Sequence, residues 1–154
     1  MSNTELIQKF YQSFANANAE GMVSCYAADI VFTDPAFGTL HGEDAKNMWR
    51  MLIVRSKGDL KITFGKVQAD ERSGNAEWVA EYVFSQTGRK VVNKIAARFE
   101  FLDGKIVKHT DHFNMWRWTQ QALGLPGYLL GWTSFLQGKV RKQALASLKA
   151  YTKK

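Results

Sequence analysis

The sequence predicts an α+β fold, with helices first and an antiparallel sheet after them. Residues 2–53 repeat apolar side chains at helical spacing, interrupted by one short strand-like stretch. Residues 60–113 instead alternate apolar and polar side chains between compact turn signals. Strands that follow one another through short turns pair antiparallel, and three helices ahead of them cover only one face of the resulting sheet. After Met115 the spacing becomes helical again, which predicts a C-terminal helical extension.

In chain order, Ser2 and Glu5 form a capping box in front of Leu6, Ile7, Phe10, Tyr11 and Phe14, a core-facing stripe. Asn18 caps a short second helix carrying Met22, Val23 and Tyr26. Ile30 to Pro35 (IVFTDP) is a strand with Ile30, Phe32 and Asp34 on one face, stopped by the proline. His41-Gly42 opens a third helix, where Ala45, Met48, Trp49, Leu52 and Ile53 share a face. Leu60, Ile62 and Phe64 mark the next strand, and Ser73-Gly74-Asn75 reads as a turn. Trp78, Ala80, Tyr82 and Phe84 alternate up to a turn at Gly88-Arg89. Val91, Ile95, Ala97, Phe99 and Phe101 share one face of the strand that follows, opposite Lys94, Arg98 and Glu100. Asp103-Gly104 is a hairpin signal leading into KIVKHTDHFNMW.

Composition limits the function. A chain of 154 residues with 13% aromatic residues and two prolines is a single globular domain with a real core. One cysteine, Cys25, on an apolar helix face, reads as inert packing in a reducing compartment. No apolar run approaches a membrane span and the N-terminus reads directly into a helix, so the expected location is the cytoplasm. The net charge of +7 is local: residues 113–154 hold Arg117, Lys139, Arg141, Lys142, Lys149, Lys153 and Lys154 and no acid. The rest of the chain is neutral, so no nucleic-acid partner is expected.

The chemistry concentrates on the last strand. Alternation puts Val107, His109, Asp111, Phe113 and Met115 on one side and Ile106, Lys108, Thr110, His112 and Asn114 on the other. A carboxylate on the apolar side must be paired, hydrogen-bonded or protonated. Asp111 is therefore either part of a satisfied polar network or the wall of a cavity where its proton is used. His109 and His112 point to opposite faces and cannot share a metal; no metal site is expected. No glycine-rich nucleotide cradle and no G-x-S-x-G elbow is present. Carboxylates and a histidine in an aromatic setting remain, a combination suited to proton transfer on a small organic molecule.

Three helices and a meander bearing IVFTDP, GTLHGEDA and DGKIVKHTDHFNMW resemble the NTF2-like superfamily, in its SnoaL-like, ketosteroid-isomerase-like and limonene-epoxide-hydrolase-like branches, over residues 4 to 123. The resemblance implies a cone-shaped curved antiparallel sheet with the three helices over its concave face. That interior would be a small-molecule pocket lined by Phe10, Tyr11, Phe14, Phe32, Trp49, Trp78, Tyr82, Ala97, Phe99 and Phe113. Asp34 matches the isomerase base, whereas that enzyme's oxyanion tyrosine falls on Phe10, beside Tyr11, and its protonated aspartate on Ala97. Asp111 matches the acid/base aspartate of the polyketide cyclases. The hydrolase pattern D-x-F-(D/N) recurs as DHFN, but the Arg-x-Asp of that enzyme has no counterpart among Trp78, Val79, Ala80 and Glu81.

These matches imply a cofactor-free acid/base enzyme of the isomerase, cyclase or hydratase kind on a hydrophobic substrate. Asp111 is the expected principal acid/base, His109 its partner and Asp34 a second base; the alternative is a non-catalytic binding or dimeric interaction module. A homodimer is expected, because Val79 and Val83 face away from the helices. The family fold ends near Leu123, leaving 124–154 as a basic amphipathic extension on the same domain. Its cluster from Tyr128 to Leu136 and its stripe Val140, Ala144, Leu145, Leu148 and Tyr151 are expected to dock on the protein, burying Trp132 and Phe135. A lipid surface is the alternative destination.

Overall fold

A computed structural model describes residues 1–153 of the chain. Ser2 Oγ accepts from the Glu5 amide (3.1 Å) while Glu5 Oε1 accepts from the Ser2 amide (3.2 Å), and this closed box starts α1 (Asn3–Ala15). Leu6, Ile7, Phe10, Tyr11 and Phe14 are all buried along one stripe. Asn18 caps α2 (Ala19–Val23) through the Gly21 amide. Tyr26 does not continue that helix. The Ile106 amide donates to the Cys25 carbonyl (2.9 Å), which draws the chain into the sheet, and Tyr26 opens β1 (Tyr26–Asp34).

A strand unforeseen in the sequence, β2 (Gly38–His41), pairs with β1 across the turn that begins at Asp34-Pro35. α3 (Glu43–Ser56) follows and buries Ala45, Met48, Trp49 and Met51, with Leu52 and Ile53 at the margin of the core. Four strands complete the sheet: β3 (Lys61–Ala69), β4 (Ser73–Phe84), β5 (Arg89–Leu102) and β6 (Lys105–His112). Ser73, Gly74 and Asn75 belong to β4 rather than to a turn. The reversal lies just before them, where Asp70 Oδ1 accepts from the Arg72 and Ser73 amides (2.8 Å each).

The sheet order is β2-β1-β6-β5-β4-β3, antiparallel at every junction except β1 with β6, which run parallel. Asp103 and Gly104 both have positive φ (51° and 75°), the conformation that a tight β5–β6 hairpin demands. Strict alternation fails once in β6. Phe101 pairs with Ile106 and Glu100 with Lys108, so Val107 is an unpaired bulge residue and Ile106, not Val107, points inward. From Lys108 onward the expected faces hold, with His109 and Asp111 buried and His112 exposed.

Asn114 caps α4 (Met115–Leu123) by accepting from the Arg117 amide. Gly124, at φ 72°, breaks the chain into α5 (Leu125–Leu130), and α6 (Ser134–Thr152) runs back across α3. α6 buries Leu148 in the main core and is tied down by Arg55 to the Ser147 carbonyl (3.5 Å) and Arg141 to the Pro35 carbonyl (3.2 Å). The extension thus docks through α6, but the expected burial of Trp132 and Phe135 does not occur within the chain: they are 63% and 71% exposed. The core occupies the concave side of the sheet, beneath α1 and α3.

Candidate functional site

His109 sits at the centre of the concave side, fully buried. Its ring is enclosed by Phe99, Phe32 and Phe10 at centroid distances of 4.4, 5.0 and 5.4 Å, and it stacks on Trp49 at 6.1 Å. Both of its nitrogens are used. The Trp49 indole N–H donates to Tyr26 Oη (2.9 Å), which leaves the Tyr26 proton for His109 Nδ1 (2.6 Å). The imidazole proton then lies on Nε2 and is donated to Asp111 Oδ1 (2.9 Å), which also accepts from the Trp78 indole (3.3 Å). Trp49, Tyr26, His109, Asp111 and Trp78 thus form one hydrogen-bonded chain, in which both donors to Asp111 meet its Oδ1. Burial first, and the charge of Asp111 second, push the Tyr26 hydroxyl well above its ordinary pKa, so it keeps its proton.

Asp34 is different. It ends β1 at the rim of the concave side, where its Oδ1 accepts from the Phe37 amide (2.6 Å) and so fixes the β1–β2 turn. Burial pushes its pKa up to about 7, against the opposing pull of the amides of Phe37 and Ala36. Asp111 reinforces the rise, and Arg141, reaching over from α6, reduces it. A carboxyl that exchanges its proton near neutrality, in electrostatic reach of a second acid, is suited to general acid/base work.

The residues expected to line a pocket do converge. Phe10, Tyr11, Phe14, Phe32, Trp49, Trp78, Ala97 and Phe99 are buried together on the concave side, with Tyr82 and Phe113 half-buried at the margin of this core. They pack on one another there: Tyr11 lies 5.5 Å from Phe64 and 5.8 Å from Trp78, and Phe14 lies 5.2 Å from Trp49. Tyr82 is held by the Trp118 indole, which donates to its hydroxyl (2.7 Å). The Tyr11 hydroxyl is the one buried side-chain polar atom among the described residues without a hydrogen-bond partner. Two open hollows, of about 830 and 450 Å³, lie instead on the outer face of the sheet, around Arg98, Thr110 and His112 and around Thr63, Glu77 and Lys94.

Sequence reasoning missed Tyr26 and Arg141. Tyr26 fits the apolar spacing of α2, and only the pairing of β1 with β6 brings it to His109. Arg141 reads as one of several bases on an amphipathic helix, and its place over the β1–β2 turn is a product of tertiary docking.

No curated protein matches the sequence. Similar solved structures share the architecture at low identity. A putative polyketide cyclase from Xanthomonas campestris pv. campestris is 20% identical, covering 77% of this chain and 94% of that one with a TM-score of 0.62. A limonene-epoxide-hydrolase-like epoxide hydrolase of Mycobacterium tuberculosis is 17% identical, covering 83% and 96% with a TM-score of 0.63. A protein with the ketosteroid isomerase-like fold from Catenulispora acidiphila, in complex with trimethylamine, is 18% identical, covering 84% and 97% with a TM-score of 0.64. These likenesses agree with the expected curved α+β architecture. Residues 7–109, which include Asp34 and His109, match the family model described as a SnoaL-like domain, and the chain belongs to that family.

Proposed function

We propose that the chain is a cofactor-free acid/base enzyme that moves a proton on a small hydrophobic carbonyl, hydroxyl or epoxide compound, in the manner of an isomerase, cyclase or hydratase. The observation that carries this reading is Asp34, held near neutrality at the rim of an aromatic-walled interior. Asp34 takes the role of proton acceptor, because its pKa lies near 7 and Oδ1 of Asp111 is already engaged by two donors. Asp111, oriented by His109 and Tyr26, supplies the deeper fixed charge. The Tyr11 hydroxyl, on which Asp111 acts electrostatically, is left without a partner in the packed interior, at a cost of about 1–3 kcal/mol. The relatives named as a cyclase and an epoxide hydrolase make the same substrate class reasonable here.

The test is hydrogen–deuterium exchange. Hydrophobic ketones such as 1-tetralone and 2-decalone are incubated with the full chain in D₂O, and loss of their α-protons is followed by NMR. Exchange is expected to be faster than in buffer, to rise with pH through about 7, and to fall by roughly a hundredfold or more in Asp34→Asn, the usual scale for removing a general base. Exchange no faster than that given by Asp34→Asn contradicts the reading.

The packing of Trp78 and Phe99 into the interior favours a second reading, a binding module without chemistry. Ketones that bind the chain, by line broadening, with no exchange support that one. In both readings two copies pair through the outer face of the sheet, where Val83 is 46% exposed, and light scattering at micromolar concentration checks the mass.

A further inference from the structure

The strongest unexplained feature of the molecule is α5 and the corner that follows it. Leu125, Tyr128, Leu129, Leu130, Trp132 and Phe135 are all at least half exposed. A stretch this apolar ordinarily turns its large side chains inward. Here the inward face is made of glycine. Gly127 and Gly131 are buried against α4, where a Cβ on Gly127 would collide with the Thr119 carbonyl and one on Gly131 with the Thr119 hydroxyl. Thr119 Oγ1 also donates to the Gly127 carbonyl (3.3 Å). Rolling α5 to bury Tyr128 or Leu129 would drive a side chain into that contact, so the outward display is built into the packing.

Charge identifies the occupant. From residue 113 onward the sequence has seven bases and no acid. Arg117, Lys139, Arg141 and Lys142 are exposed, and no ion pair among the described residues involves a residue beyond Asp111. Lys139 Nζ lies 5.6 Å from the Phe135 ring centroid, and Arg89, bonded to the Gln121 carbonyl (2.8 Å), stands beside Gly124 at the start of α5. Symmetric pairing of two such corners would set cation against cation. An anionic bilayer meets both requirements, taking the aliphatic and aromatic side chains at the level of the headgroups and the bases against their phosphates. No helix among the described residues is long and apolar enough to cross a membrane, so the contact is peripheral.

We infer that residues 125–142 form a docking surface for anionic lipid, with Leu129, Trp132 and Phe135 inserted at the interface and Lys139 and Lys142 on the headgroups. The full chain is sedimented with phosphatidylcholine vesicles, with and without phosphatidylglycerol, in low and high salt. Binding to the mixed vesicles in low salt is expected, weakened about tenfold or more by salt or by omitting the anionic lipid. Leu129→Glu should abolish binding while its thermal melt stays that of the parent chain. Brominated lipid should quench tryptophan emission in the parent chain and less so in Trp132→Phe, a readout that does not depend on the charged variant. Three results overturn the inference: no sedimentation with any vesicle, sedimentation unchanged in Leu129→Glu, or a dimer in solution that Leu129→Glu dissociates. The last would assign the corner to a second copy of the chain.

Discussion

The concave side of the sheet and the α5 corner contain the same materials in opposite arrangements. Inside, His109 and Asp111 are sealed among aromatic rings, and both imidazole nitrogens, the Tyr26 hydroxyl and Asp111 Oδ1 have partners. At the corner, leucines and aromatics face outward over a glycine seam, beside bases that form no ion pair among the described residues. A buried polar group is tolerated only when it is satisfied, so the interior chain is rigid and costly to break. An exposed apolar side chain contributes little to folding, so the corner is free to serve contact with something else. Asp34 lies between these regimes, at the rim and under Arg141 of α6, where burial pushes its pKa up to about 7.

The difference should be largest in stability. His109→Ala leaves Asp111 and Tyr26 without their shared partner and opens a hole among four rings; we expect a loss of about 3–5 kcal/mol, read as a melting temperature lower by roughly 10 °C or more. Trp132→Ala at the corner should change stability by no more than about 0.5 kcal/mol. Equal effects would erase the contrast.

Asp34 gives the next effect, and it depends on pH. Its pKa in the folded chain, about 7, lies above its ordinary value of 3.8, so the folded state disfavours the charged form. The stability linked to this group is therefore full below about 3.8 and is lost as pH rises through about 7. At about 1.4 kcal/mol per unit, denaturant melts at about pH 5 and pH 8 should differ by roughly 2–3 kcal/mol more in the parent chain than in Asp34→Asn. The Asn side chain keeps an oxygen for the Phe37 amide, so the turn survives the change.

Two glycine substitutions separate the seam from the open helix. Gly127→Ala should cost about 1–3 kcal/mol, because the Thr119 carbonyl occupies the space its methyl needs. Gly138→Ala, in α6 with nothing within 4 Å of an added Cβ, should gain about 0.5–1 kcal/mol from helix propensity. Thermal melts of both variants check the pair. The smallest effect is at Arg141→Gln, which withdraws the cation that holds the Asp34 pKa down and should move it further up.

How far the sequence reveals these regions follows from where each is encoded. The Ser2–Glu5 box, the α1 stripe, the hairpin at Asp103-Gly104 and the shared face of His109 and Asp111 are local patterns, and each is found where alternation and capping place it. The bulge at Val107 escapes because periodicity counts residues while the ladder with β5 decides which ones pair. Tyr26 reaches His109, and Arg141 the Pro35 carbonyl, through contacts between residues far apart in the chain, which no local spacing records. Trp132 and Phe135 read as core because apolar residues usually are. The glycines that reverse α5 look like helix breakers until Thr119 is seen against them.

The proton of Asp34 separates an acid/base site from an inert rim most directly. A ¹³C NMR titration of the aspartate side-chain carboxyls, with Asp34 assigned by the signal missing from Asp34→Asn, reads it without any substrate. The predicted midpoint is about 7 in the parent chain, higher in Arg141→Gln. A midpoint near the ordinary aspartate value of 3.8 would contradict the proposal that this carboxyl is poised to exchange protons at neutral pH.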